Sequence, residues 1–366
     1  MATTGQKAGL IRALSGVTAA YAVVLLLVVV SALLAFALNV APPEAAEAPP
    51  AAAGPEAAQR PSGALKLPPK AEPVPFRALS PAELTGMIDV TSEGLRLPRI
   101  SADGWMPWIA YSRRFDPAGP PARLGLLMMN VGADEPLMQR AIDDLPGEVS
   151  LAFLPGTPDL PRWLGRARER GHETYLMLPL EDPSGPAERG LKTIETSADT
   201  AENLRRLRAA MARGEAYVGF VVRSPGPVPQ SEATLRPLIK EIADRGLAVV
   251  EVNPTADTAV LHRLTVELGA GYARSASVLD YKLAGNGVAG SLDRLVAWIG
   301  ESTAGQTRRH AFGVAQPDSE TIDAIVAWHK RPALPKTVSL VPIIGHFECR
   351  EACMTRVNAQ PAQLRP

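Results

Sequence analysis

The sequence predicts an α/β fold from Arg123 onward, specifically a (β/α) barrel of seven to eight strands. Two observations carry this. Short apolar runs rich in β-branched residues recur at Leu124–Met129, Val149–Leu154, Thr174–Leu180, Tyr217–Val222, Leu247–Val252, Gly271–Leu279, Ala311–Ala315 and Val338–Ile343. Most are separated by stretches with apolar residues at helical spacing. Strands apolar on both faces and alternating with helices indicate a parallel sheet covered on each side. So many βα units between residues 123 and 346 fit a closed barrel better than an open layer.

The elements before the barrel differ in kind. Ala13 to Pro43 carries no charged side chain, and its centre, "AYAVVLLLVVVSALLAFAL", is long enough to cross a bilayer as a helix. Lys7 and Arg12 precede it, which places residues 1–14 in the cytoplasm, 15–39 in the inner membrane and the remainder in the periplasm. Ala35-Phe36-Ala37 leaves open a second reading, a cleaved signal peptide. Residues 40–75 are dominated by Ala and Pro and cannot bury enough apolar surface to offset ordering, so a disordered tether is expected. Residues 76–122 form a leader, with Ser80 and Pro81 as a helix start and Trp105, Trp108 and Tyr111 as its aromatic cluster. That cluster either packs on the barrel or lines a glycan groove. Residues 347–366 are a tail holding Cys349 and Cys353, the chain's two cysteines.

Within the barrel, Ser231 is placed to start the helix of "SEATLRPLIKEIADRG", which ends at Gly246, and "AENLRRLRAAMARG" and "DSETIDAIVAWHK" follow the same pattern. Functional residues of such barrels sit in the loops after the strands. Those loops offer Asn130 and Asp134, Asp159, Glu181 and Asp182, Arg223, Glu251 and Asn253, Asp280 and Lys282, Gln316 and His346. His172 and His310 precede strands, and His262 and His329 fall in helical patterns; such positions usually hold surface or capping residues. For Asp134, Asp182 and Glu251 the plainer role is capping and loop hydrogen bonding, with Glu181 the exception. With 38 basic and 38 acidic residues, the charge balance gives no argument for nucleic acid. There is no P-loop, no Gly-x-Ser-x-Gly elbow and no dinucleotide fingerprint.

Taken together, "LPGEVSLAFLP" (145–155), "GHETYLMLPLED" (171–182), "YVGFVV" (217–222), "RSASVLD" (274–280), "GVAQPDSETIDAI" (313–325) and "VSLVPI" (338–343) resemble the divergent polysaccharide deacetylase family of bacterial envelopes. The resemblance covers residues 95 to 345 and implies an irregular or incomplete carbohydrate deacetylase-like barrel. It also implies amide hydrolysis by a divalent metal held by an acid and histidines. This sequence departs from that pattern where the ligands belong. Met129 and Asn130 stand at the Asp-Asp positions, Met177 at the His before Leu-Pro, and Arg223 at the His that follows "YVG"; Glu251 keeps the later acidic position. Arg223 is placed to pair with Glu181 or Glu251 in place of a metal. The expectation is therefore a barrel with no metal or other cofactor, a divalent metal entering only if hydrolysis survives. Three roles remain: a non-catalytic domain binding envelope glycan, a deacetylase of altered site, or a scaffold for an envelope protein.

Overall fold

The computed structural model describes residues 86–348, apart from 103, 114, 116–121, 182–189, 225, 253–258, 282–286, 302–309 and 332–337. The expected anchor, the tether, Ser80, Pro81, Asp182, Asn253, Lys282, Cys349 and Cys353 lie outside the described residues. Among the described residues no helix is long and apolar enough to cross a membrane.

All eight apolar runs become strands. They are β3 (Ala122–Val131), β4 (Ser150–Phe153), β5 (Thr174–Met177), β6 (Gly219–Arg223), β7 (Ala248–Val252), a run split into β8 (Tyr272–Arg274) and β9 (Ser277–Val278), β10 (His310–Ala315) and β11 (Val338–Leu340). Before them, β1 (Ile88–Val90) and β2 (Arg96–Pro98) form a small antiparallel hairpin. The main sheet is parallel, in the order β8-β7-β6-β5-β4-β3-β10-β9. Its two outermost strands are the halves of one bent stretch. Ser275 N donates to Glu251 O on one side and Ala276 N to Phe312 O on the other, so the sheet curls into an α/β barrel.

The barrel departs from regularity at two places. No helix separates β8 from β9. The short β11 pairs with β3 at Ala122–Leu124, below the point where β4 pairs with β3 from Leu127 onward. From there the chain turns into a 3₁₀ turn, Ile343–His346, instead of continuing as a strand to Ile343. Ile343, Ile344 and Phe347 join the interior core with Leu127, Tyr175, Val250 and Phe312.

The helices outside the sheet are α2 (Glu135–Asp144), α3 (Leu160–Glu169), α4 (Thr200–Met211), α5 (Pro227–Gln230), α6 (Glu232–Asp244), α7 (Ala259–Leu268), α8 (Gly287–Gly300) and α9 (Ser319–His329), after a short α1 (Pro107–Ala110) in the leader. Their start signals are local. The side chains of Asp134, Asp199, Ser231 and Asp318 each accept from a backbone N–H of the first turn. Gly246 closes α6 in the left-handed region at φ +67°, as its place in the sequence predicts.

The leader packs at the end where strands begin. Trp108 N donates to Gly246 O, just ahead of β7, at 3.0 Å, and the Trp108 ring lies 5.5 Å from that of Phe347. Arg168 Nη1 donates to Tyr111 O at 3.0 Å. Trp108 and Tyr111 are buried, so this cluster closes the floor of the barrel and is not an aromatic groove.

Candidate functional site

The upper end of the barrel, where strands finish, is built from the positions the sequence singles out. Strand alternation sends Leu127 and Met129 inward, while Leu126 and Met128 join the outer core. The pairing of β3 with β4 then shifts register between Met128 and Val131, and Asn130 adopts φ +58°. Asparagine is among the few residues that tolerate this left-handed backbone. The bulge returns Val131 to the outer core and brings the Asn130 side chain to the end of β10, where Nδ2 donates to Gln316 Oε1 at 3.1 Å. Asn130 is 95% enclosed, being 5% exposed, and its Oδ1 is buried with no hydrogen-bond partner. Gln316 N in turn donates to Asp280 Oδ2 at 2.7 Å. Burial pushes the Asp280 carboxyl above the usual range, against the lowering effect of that bond.

Met177 ends β5 inside the barrel and belongs to the same interior core as Met129. Arg223 ends β6, two residues past the interior Val221, and is half-buried. Met129, Asn130, Met177 and Arg223 thus all stand at the strand ends that form the mouth. They supply thioethers, an amide and a guanidinium. Among the described residues no three His, Cys, Asp or Glu side chains converge as a metal site.

The carboxylates sort differently. Asp134 is a helix cap, accepting from Leu137 N at 2.8 Å. Glu181 accepts from Thr196 N at 3.0 Å and from Thr196 Oγ1 at 2.8 Å, so it pins its own loop. Glu251 is not at the mouth. Its neighbours Val250 and Val252 face the interior, so it faces outward and is fully buried beneath the helices. There it accepts from Ser224 Oγ at 2.5 Å and from the Tyr272 hydroxyl. Neither Glu181 nor Glu251 turns to Arg223, which corrects the expected ion pair. Asp159 is exposed and pairs with Arg162.

The histidines also move from their expected places. His346 is at the floor, in the 3₁₀ turn, with its Nδ1 3.3 Å from His310 Nδ1 and its ring against Phe312. Burial, with His310 and Arg123 nearby, pushes its pKa well below the usual value. His172 is no surface residue: it is fully buried, with ring nitrogens on Val149 O at 2.7 Å and Ile142 O at 3.0 Å. His262 and His329 lie on α7 and α9 as expected. The neighbouring Glu173, which sequence reasoning passed over, is a fully buried floor residue. Its one signal was the "GHE" triplet itself. Thr157 was missed as well: its Oγ1 donates to Leu154 O at 2.7 Å, and it stands where a Cβ on Gly132 would be, 2.0 Å from Oγ1.

Among solved structures, the chain is 28% identical to an uncharacterized protein from Agrobacterium tumefaciens C58, with TM-score 0.60, over 68% of this chain and 98% of that one. A structure from Enterococcus faecalis V583, provisionally named for cellobiose-phosphate cleavage, is 12% identical with TM-score 0.44, over 60% of this chain and 97% of that one. No curated protein matches. The pattern of the divergent polysaccharide deacetylases matches residues 127–344, more than half of the chain and nearly all of the barrel. By that match the chain belongs to the divergent polysaccharide deacetylase family.

Proposed function

We propose that this protein is a membrane-anchored, periplasm-facing member of its family that binds envelope glycan at the barrel mouth and has lost metal-dependent hydrolysis. The observation that carries the reading is the donor set at the strand ends, Met129, Asn130, Met177 and Arg223. Activating water for amide hydrolysis requires imidazole and carboxylate ligands around an open position. Thioethers suit Cu(I) and not Zn²⁺ or Mg²⁺, and a guanidinium repels a dication. The residues present do not fit the metal that the family implies, and no catalytic step is derived through it.

What the mouth offers instead is hydrogen bonding. The buried Asn130 Oδ1 is an acceptor awaiting a donor, and leaving such an atom unmet costs about 1–3 kcal/mol. A hydroxyl or amide N–H of a bound sugar would satisfy it. A metal-free hydrolase needs two carboxyls flanking the scissile bond. Among the described residues Asp134, Glu181 and Asp318 are engaged with backbone N–H groups, and Glu251 faces away from the mouth. A protein scaffold has less support: among the described residues the exposed large apolar side chains are Val90, Tyr281 and Trp298, which do not form one broad patch.

The test is metal analysis of the detergent-purified full chain together with acetate release from chitotetraose. Zinc, nickel and cobalt well below one equivalent, no acetate, and a melting temperature indifferent to chelator are expected. Restoring Asn130→Asp alone should not recover hydrolysis. About one equivalent of metal, or chelator-sensitive acetate release, would return the protein to the active deacetylases.

A further inference from the structure

The outer wall of the barrel has a seam. Every other pair of neighbouring barrel strands joined directly along the chain has a helix between them, but β8 passes into β9 through Ser275 and Ala276 alone. The consequence is visible in exposure. Strands β4 and β7 are buried along their whole length, whereas Arg274 and Ala276 are exposed and Ser277 and Val278 half-buried. Packing agrees: α6 lies on α7 and α8 on α9, but among the described residues α7 and α8 make no comparable contact.

Into this seam α8 turns one face. Ser291, Arg294, Leu295 and Trp298 follow helical spacing, and with Ala276 and Ser277 they line a shallow cavity of about 270 Å³. Arg294 Nη2 donates to Ser291 Oγ at 3.0 Å. Trp298 is 47% exposed. An indole this accessible, bordered by two hydroxyls and a guanidinium, is an unusual outer face for a helix whose other large apolar residues are buried.

From this juxtaposition we infer a second ligand site, for one pyranose ring of a carbohydrate chain, on Trp298 in the β8–β9 seam. The chemistry matches the shape. The C–H face of a pyranose packs on an electron-rich aromatic face, and its hydroxyl edge takes hydrogen bonds from the rim. Arg294 supplies planar donors there, and the hydroxyls of Ser277 and Ser291, which donate to Val278 O and Gly287 O, offer acceptor lone pairs. The volume lies at the small end of ligand pockets, enough for one ring rather than an enclosed oligomer. A protein partner fits less well. A stable interface needs about 800 Å² from each side, and among the described residues Trp298 is the one large exposed apolar side chain at the seam. The site is on the outer wall and does not rest on the reading of the mouth given above.

The experiment uses the full chain in detergent micelles with 5-fluorotryptophan at its five tryptophans. The fluorine resonance of Trp298 is assigned by its loss in Trp298→Phe, and chitotetraose is titrated in. The Trp298 resonance should move saturably, while those of Trp105, Trp108, Trp163 and Trp328 stay in place. Arg294→Ala should raise the apparent Kd about tenfold, the equivalent of one good charged hydrogen bond, with the other four resonances unchanged as proof of folding. A Trp298 resonance that ignores the sugar overturns the proposal, as does an unaltered Kd in Arg294→Ala. A resonance that instead moves with protein concentration makes the seam a contact between copies, and that also overturns it.

Discussion

Glu173 gives the most quantitative consequence of this fold. It stands just ahead of β5 and is fully buried at the barrel floor. Its Oε1 accepts from Arg113 N at 3.0 Å, and its Oε2 from Ser150 Oγ at 3.1 Å, Tyr175 OH at 3.0 Å and Ile344 N at 3.3 Å. One side chain therefore ties together the leader, two strands and the segment that plugs the barrel. Burial disfavours the charged form and pushes the carboxyl up to about 7, against the four donors that favour charge. A folded pKa raised above the unfolded value means that the folded state holds its proton longer. The stability is fully present below the ordinary carboxyl value near 4.5, and is lost as pH rises through about 7. A gap of roughly 2.5 units at 1.36 kcal/mol each amounts to about 3 kcal/mol.

Glu173→Gln keeps the shape and removes the titration. Near pH 5 the two proteins should agree within about 1 kcal/mol, since one neutral hydrogen-bonding group replaces another. Near pH 8 the variant should be the more stable by about 3 kcal/mol. Paired urea unfolding of the full chains, followed by tryptophan fluorescence across that range, measures the difference; other titrating groups cancel between the two proteins. Parallel pH profiles, or a variant less stable at pH 8, would refute the reasoning and show that the donors outweigh burial.

The other expectations concern the mouth and the tether. Gly132→Ala should lower stability by about 1–3 kcal/mol, because Gly132 sits at φ +106° and its new Cβ would meet Thr157 Oγ1 at 2.0 Å; removing the hydroxyl with Thr157→Ala should recover only part, since the backbone strain stays. Thermal melts read both. Deleting residues 41–75, which we propose to be a tether, should shift the melting temperature of the protein by less than a few degrees, because such a segment contributes reach and not packing. In cell fractionation the full-length chain should stay in the membrane through high salt and leave it in detergent. A soluble product beginning near Asn39 would instead support signal-peptide cleavage.

How far the sequence reached is set by what periodicity can encode. Eight strands and the main helices were legible because each declares itself over several residues, and the caps at Asp134, Ser231 and Asp318 do so with one side chain. Which face a residue takes is another matter. In a strand buried on both sides no polar alternation marks inside from outside, and a shift of one residue exchanges the faces. "AVVEV" at β7 is such a strand, with all five residues buried, so nothing in it reveals that Glu251 turns outward to Ser224 and Tyr272. His346 escaped for a related reason: the apolar run from Val338 to Ile343 reads as one strand, yet it leaves the sheet after Leu340 and carries the histidine to the floor. Asn130 is the instructive opposite. By plain alternation it would follow Leu126 and Met128 to the outside, away from any ligand. Only its left-handed backbone, at φ +58°, turns the amide to Gln316 and leaves Oδ1 enclosed at the mouth. The residue expected to be a vestige of lost chemistry is thus held at the site by a strained conformation and one unmet acceptor, two costs that a bound donor would offset.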